Sequence, residues 1–151
     1  TLALAAPVLS NIPATHREVA DQVLICTGTG RRGAVPDLPK YKPNRTTVFL
    51  MALHRIVELV PLLIENGWEP NLAVAIVERA SCPDQRVIRT RLKDLAEAVE
   101  THGSRPPGLL VTGHACEVIE PAIKDKWIVE EGYEAASVLG IVSVIKLLQG
   151  A

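Results

Sequence analysis

Aromatic residues are scarce in this chain, at 3% of 151 residues. That argues against a surface that reads RNA or single-stranded nucleic acid, where bases stack on aromatic rings. An excess of one charge is lacking too: 16 Lys+Arg stand against 17 Asp+Glu, a formal net charge of -1. No global basic field draws nucleic acid or an anionic membrane, so any anion must be held by a local cluster. Cysteine is sparse, and Cys26, Cys82 and Cys116 are odd in number and widely spaced. They fit neither a disulfide framework nor zinc-ligand spacing, which points to a reducing, cytoplasmic setting. His16, His54, His102 and His114 are scattered, none at helical spacing from a second ligand, so no metal site is expected. The apolar stretch at 138–145 falls well short of the roughly 20 residues of a spanning helix, and no signal peptide is visible.

What is present is core. Hydrophobic residues make up 48% of the chain, enough for one domain but not for two of full size. Residues 2–9 read as a short helix of small side chains ending at Ser10-Asn11. Val23-Leu24-Ile25-Cys26 reads as a strand before glycines. Residues 27–45 carry Gly28, Gly30, Gly33, Pro36, Pro39 and Pro43, a long irregular loop. Residues 46–51 form a β-branched apolar strand. A stripe of Leu53, Ile56, Val57, Val60, Leu63 and Ile64 then gives a helix stopped by Asn66-Gly67, with Pro61 predicting a kink or a division into two pieces. Buried strands follow at 72–77 and 87–90. Leu92, Leu95, Ala96 and Val99 mark a helix closed by His102-Gly103, and a strand runs over 108–112. Residues 130–148 read as helical. Strands alternating with helices of this length predict an α/β fold, a mixed, partly parallel sheet flanked by helices.

Chemistry is thinly signposted. Thr27-Gly28-Thr29-Gly30-Arg31-Arg32-Gly33 looks like a phosphate cradle, yet Ala34-Val35-Pro36 follows where such a loop must run into a helix. Cys82, with Asp84 and Arg86 nearby, has no histidine beside it in sequence to act as a base and reads as part of a small-residue turn. Arg17, Arg31, Arg32, Arg45, Arg55, Arg79 and Arg86 fall mostly in loops and at strand edges, positions suited to bidentate capture of carboxylates or to surface ion pairs. Met51 ends a buried strand, where α/β sheets present residues to ligands, though core packing is the simpler role for a methionine.

Taken in order, Ile12-Pro13-Ala14-Thr15-His16-Arg17, the Thr27-Gly28-Thr29-Gly30 loop, Val48-Phe49-Leu50-Met51-Ala52, Gln85-Arg86 and Pro107-Gly108-Leu109-Leu110-Val111-Thr112-Gly113 resemble the second half of the uroporphyrinogen-III C-methyltransferase family. The resemblance covers roughly residues 1–119. It implies the second domain of the tetrapyrrole methylase fold, with S-adenosyl-L-methionine bound between two domains and the N-terminal domain missing from this chain. Residues 1–11 would be the interdomain helix, 12–120 the α/β methyltransferase domain and 121–151 a helical tail. The cofactor contacts it implies fall on Thr1, Leu2, Met51, Ala80 and Gly108, and the substrate contacts on Arg17 and Met51. Where relatives often have a glycine in the turn after the third strand, this chain has Ala80, which puts any glycine-only backbone angle there in question. The implied substrate is uroporphyrinogen III, whose eight carboxylates suit loop arginines, and the implied assembly is a homodimer. No catalytic acid or base is expected in this half, and no nucleic acid or membrane partner. Other readings are a related tetrapyrrole methyltransferase and a non-catalytic dimerisation or binding module.

Overall fold

The structure, a computed structural model, describes residues 1–120 and 123–132. In chain order its elements are α1 (Leu2–Leu9), β1 (Gln22–Thr27), β2 (Arg45–Leu50), α2 (Ile56–Glu65), β3 (Ala73–Glu78), β4 (Arg86–Arg91), α3 (Leu95–His102), β5 (Gly108–Thr112) and β6 (Trp127–Glu131). The six strands form one sheet in the order β1-β2-β5-β3-β4-β6. Among the described residues β1 and β2 pair in parallel and every other neighbouring pair is antiparallel.

Parallel neighbours need a long crossover, and the glycine- and proline-rich segment after β1 provides it. That segment is irregular apart from a 3-10 turn at Arg31–Gly33. Leu38 and Tyr41 pack on the core below α2, and the Trp68 indole N–H donates to the Pro39 carbonyl at 2.9 Å. A loop that looked free in sequence is thereby pinned across one face of the sheet.

Side-chain alternation in the strands divides the core in two. Phe49, Val74, Ile76, Ile88 and Leu110 face α2 and α3, meeting Ile56, Leu63 and Leu95. Val48, Ala75, Val77, Val87, Leu109 and Val111 face α1, which covers them with Ala3 and Ala6. Small residues let that short helix lie close to the sheet. All six residues of β3 are buried, as expected of a central strand covered on both faces.

Two expectations change. The stripe beginning at Leu53 does come in two pieces, but the division precedes Ile56: Leu53–Arg55 is a 3-10 turn, and α2 runs unbroken through Pro61. Pro61 is tolerated because it lies on the exposed side, and Val57, whose carbonyl would have received its missing N–H, is exposed as well. The helical tail read at 130–148 and 121–151 includes residues that form a strand: β6 pairs with β4, with Trp127 and Val129 turned toward the α3 core. Trp127-Ile128-Val129 has the β-branched and aromatic character that suits this edge. Residues 133–151 lie outside the described residues.

Two buried arginines tie the elements together. Arg86 and Glu78 are 3% and 1% exposed and meet at 2.6 Å. Arg89, equally buried, reaches Glu130 at 3.1 Å, the Cys116 carbonyl at 3.3 Å and the Ser10 carbonyl, so β4 holds β6 and the end of α1 in place. Removing one partner of such a pair strands a charge in the core. Arg86→Ala is expected to cost about 3–5 kcal/mol in urea unfolding. Replacing both members with Glu78→Met and Arg86→Leu is expected to recover most of that loss.

Candidate functional site at the carboxyl edge of β2 and β3

Because β5 runs antiparallel to β2 and β3, its first residues lie beside the last residues of both. Leu109 stands opposite Leu50, and Gly108 opposite Glu78. The first residues of α1 reach the same edge, and a cavity of about 430 Å³ opens between them. That volume lies within the roughly 300–1,000 Å³ of small-molecule sites. Its lining is mostly apolar: Leu2 and Ala3 from α1, Leu50 at the end of β2 with Met51 and Leu53 just beyond it, and the run Pro106, Pro107 and Gly108. Thr1 and His54 add the polar groups.

Met51 sits at a sharp exit from β2. Its φ of 53° is left-handed, an uncommon conformation for a residue with a side chain. The surroundings hold it there. The Gly28 N–H donates to the Leu50 carbonyl at 2.7 Å, and the Thr29 hydroxyl donates to the Met51 carbonyl at 2.7 Å. Gly28 is required by close approach, since a Cβ there would lie 2.6 Å from that of Ala52. The Thr27-Gly28-Thr29-Gly30 loop is therefore a brace for the Met51 turn. The Met51 side chain is 62% exposed, which removes it from the core and places it at the cavity.

Gly108 is constrained in the same way. A Cβ on it would stand 2.7 Å from the Val77 carbonyl oxygen and 2.8 Å from the Leu53 side chain. The leucine could turn aside, but the backbone oxygen could not without moving β3.

Four of the five residues named for cofactor contact, Thr1, Leu2, Met51 and Gly108, line this cavity. Ala80 lies at the same sheet edge but outside the lining, partly buried against the α1-side core. The left-handed residues of its turn are Arg79 at φ 50° and Ser81 at φ 68°, so Ala80 itself needs no glycine-only angle. The turn has ties of its own: Gln85 accepts the Ser81 N–H at 2.7 Å, and Arg79 forms an ion pair with Asp84 at 2.6 Å. A hydrogen bond from Arg79 holds the Asp84 carboxyl below its ordinary range. Arg17 is exposed in the bend between α1 and β1 and does not line the cavity. Arg86, grouped with the candidate anion binders, is consumed by Glu78. Sequence reasoning passed over His54, which the 3-10 turn carries three residues beyond Met51 into the lining.

The cysteines are separate from the cavity. Burial pushes the Cys26 thiol up to about 11, partly offset by Arg45, and pushes Cys116 up to about 12. Among the described residues no group of three or more His, Cys, Asp or Glu side chains could hold a metal ion, and no helix is long and apolar enough to cross a membrane.

These features define a mixed α/β domain with a ligand-sized apolar cavity at one sheet edge. The chain belongs to the family of tetrapyrrole (corrin/porphyrin) methylases, which matches residues 1–96. It is 54% identical over 136 residues to the uroporphyrinogen-III C-methyltransferase of Saccharomyces cerevisiae, a match covering 86% of this chain and 23% of that protein. The probable uroporphyrinogen-III C-methyltransferase of Schizosaccharomyces pombe is 55% identical over 117 residues, covering 78% and 24%. Among solved structures, the uroporphyrin-III C-methyltransferase of Thermus thermophilus complexed with S-adenyl homocysteine matches with a TM-score of 0.67 and 33% identity, covering 76% of this chain and 50% of that one. The chain thus spans about a quarter of the length of these fungal relatives and half that of the bacterial enzyme.

Thiolates, not thiols, react with alkylating reagents. Brief iodoacetamide treatment of the folded protein at about pH 8 is therefore expected to leave Cys26 and Cys116 unmodified, with label appearing on Cys82 in its partly exposed turn. Peptide mass spectrometry reads the pattern, and modified Cys116 in folded protein would contradict the burial described.

Proposed function

We propose that this chain is the second half of an S-adenosylmethionine-dependent C-methyltransferase that acts on uroporphyrinogen III to give precorrin-2. The observation that carries the reading is the apolar cavity where the start of α1, the Met51 turn and Gly108 converge. Its residues suit the cofactor: the lining is almost wholly uncharged, and Gly108 leaves space that a side chain could claim only by displacing the β3 backbone. Thr1, Leu2, Met51 and Gly108 would hold one side of it, with Ala80 backing the neighbouring turn.

When bound, S-adenosylmethionine supplies an electrophilic methyl group on its sulfonium. The work of this chain is orientation and the exclusion of water. Met51, braced from below by Thr29, presents its side chain at the mouth of the cavity, where it can separate cofactor from macrocycle. Holding reactants aligned in a dry pocket supplies much of the rate in such transfers. None of the cavity residues is assigned as a catalytic acid or base. Arg17 would bind a substrate carboxylate, and its exposure leaves it available. A homodimer is part of the same reading, and the exposed Leu4 and Val8, one turn apart on α1, offer an apolar face for it.

The test is a full-length protein carrying this chain, assayed with uroporphyrinogen III and methyl-labelled S-adenosylmethionine. Methyl transfer is expected for the full protein and not for the 151-residue chain. Calorimetry with S-adenosylhomocysteine is expected to show binding to the isolated chain weaker than micromolar. A full protein that methylates no tetrapyrrole would sink the proposal.

A further inference from the structure

We propose that the buried Glu78–Arg86 pair is a positioning device for the cavity, fixing the segment 103–108 and with it the seat that Gly108 and its prolines offer to a nucleoside-bearing ligand. Both oxygens of the carboxylate and all three guanidinium nitrogens are engaged. Arg86 Nε meets Glu78 Oε2 at 2.6 Å, and the Arg105 backbone N–H donates to Glu78 Oε1 at 2.6 Å. Arg86 Nη1 and Nη2 donate to the His102 and Gly103 carbonyls at 2.9 and 2.8 Å. The next residue adds a further tie, with the Arg79 N–H donating to the Pro107 carbonyl at 2.8 Å.

These bonds converge on a segment with few anchors of its own. Pro106 and Pro107 have no N–H to give. Gly103 turns at φ 66° to leave α3. The path from the end of α3 to the cavity is therefore set from outside, by two side chains at facing ends of β3 and β4. Glu78 is also the register partner of Gly108, so the carboxylate anchors the strand position beside the cavity glycine.

Stability alone is a weak reason for such a pair. Removing two charges from water costs about as much as their attraction returns, and apolar residues of similar volume often do as well. What the charges supply that apolar residues cannot is a fixed direction for the bonds to 102, 103 and 105. Neither residue lines the cavity, so both are positioning residues rather than catalytic ones.

This inference rests on the reading of the cavity as an S-adenosylmethionine site. Its test compares Arg86→Lys and the isosteric Glu78→Gln with Leu63→Ala, a deletion in the α2 core outside the cavity lining. All are made in the full-length protein and measured below their melting transitions. Arg86→Lys is expected to weaken S-adenosylhomocysteine binding at least about tenfold by calorimetry. The KM for uroporphyrinogen III is expected to stay within about twofold. Hydrogen exchange at the Arg105 and Gly108 amides should quicken even without ligand. Leu63→Ala, matched or exceeding in lost melting temperature, should leave the binding constant within about twofold. Unchanged affinity in Arg86→Lys, or an equal loss in Leu63→Ala, overturns the inference while leaving the cavity assignment standing. If Arg86→Lys does not fold, Glu78→Gln carries the same comparison. Failure of the unsubstituted protein to bind S-adenosylhomocysteine overturns the cavity assignment, and this inference with it.

Discussion

A carboxylate and a guanidinium taken out of water together hold one edge of this sheet in a single arrangement. Glu78 and Arg86 close the β3–β4 hairpin from inside and satisfy the end of α3. They also fix the path into β5. Because burying an ion pair yields little net stability, its consequence is geometric: β5 starts where β2 and β3 end. The Gly108 side of the cavity follows from that coincidence, including the close approach of Gly108 to the Val77 carbonyl and to Leu53. Arg89 plays a corresponding part in the middle of β4, where it binds the ends of α1 and β6.

In the proposed reading the cavity forms one wall of the cofactor site. Its braces lie on elements this chain carries complete: the glycine loop under Met51, the hairpin under Gly108, and α1 laid close to the sheet on Ala3 and Ala6. A cavity lined mainly by apolar groups offers a ligand shape and dryness but few directed bonds. That division of labour fits a chain that spans about half the length of its bacterial relative, and in the proposed reading the rest of the protein supplies further contacts.

How much of this could be read in the sequence depended on how local each feature is. β1, β2, β3 and β5 were legible because each is an apolar run bounded by glycine, proline or a turn. β6 was not, since Trp127-Ile128-Val129 lies between charged residues and gains its partner only when the open edge of β4 is present. Pro61 points to the wrong place for the division of the stripe: it lies off the apolar face, where its lost bond is tolerated, and the break falls instead at the 3-10 turn before Ile56. The alternation of strands and helices gave a partly parallel sheet, but the predominance of antiparallel pairs is a matter of nonlocal register. Met51, Gly108, Thr1 and Leu2 came from the family resemblance and meet at one cavity, whereas His54 was passed over as one scattered histidine among four. For Arg86 the sequence leaves carboxylate capture and a surface ion pair both open; only the hairpin register brings it to Glu78, and the pair they form is buried rather than on the surface.

Read as half of an S-adenosylmethionine site, the cavity has its shape fixed from beneath by the β3–β4 hairpin. The decisive measurement is a crystal structure of the complete protein with S-adenosylhomocysteine. The ligand is expected within van der Waals contact, about 4 Å, of Leu2, Met51 and Gly108, with the Glu78–Arg86 pair intact behind it. Ligand density seated elsewhere, such as the open groove between Val35 and Asn66, with the cavity filled by side chains of the other half, would contradict it.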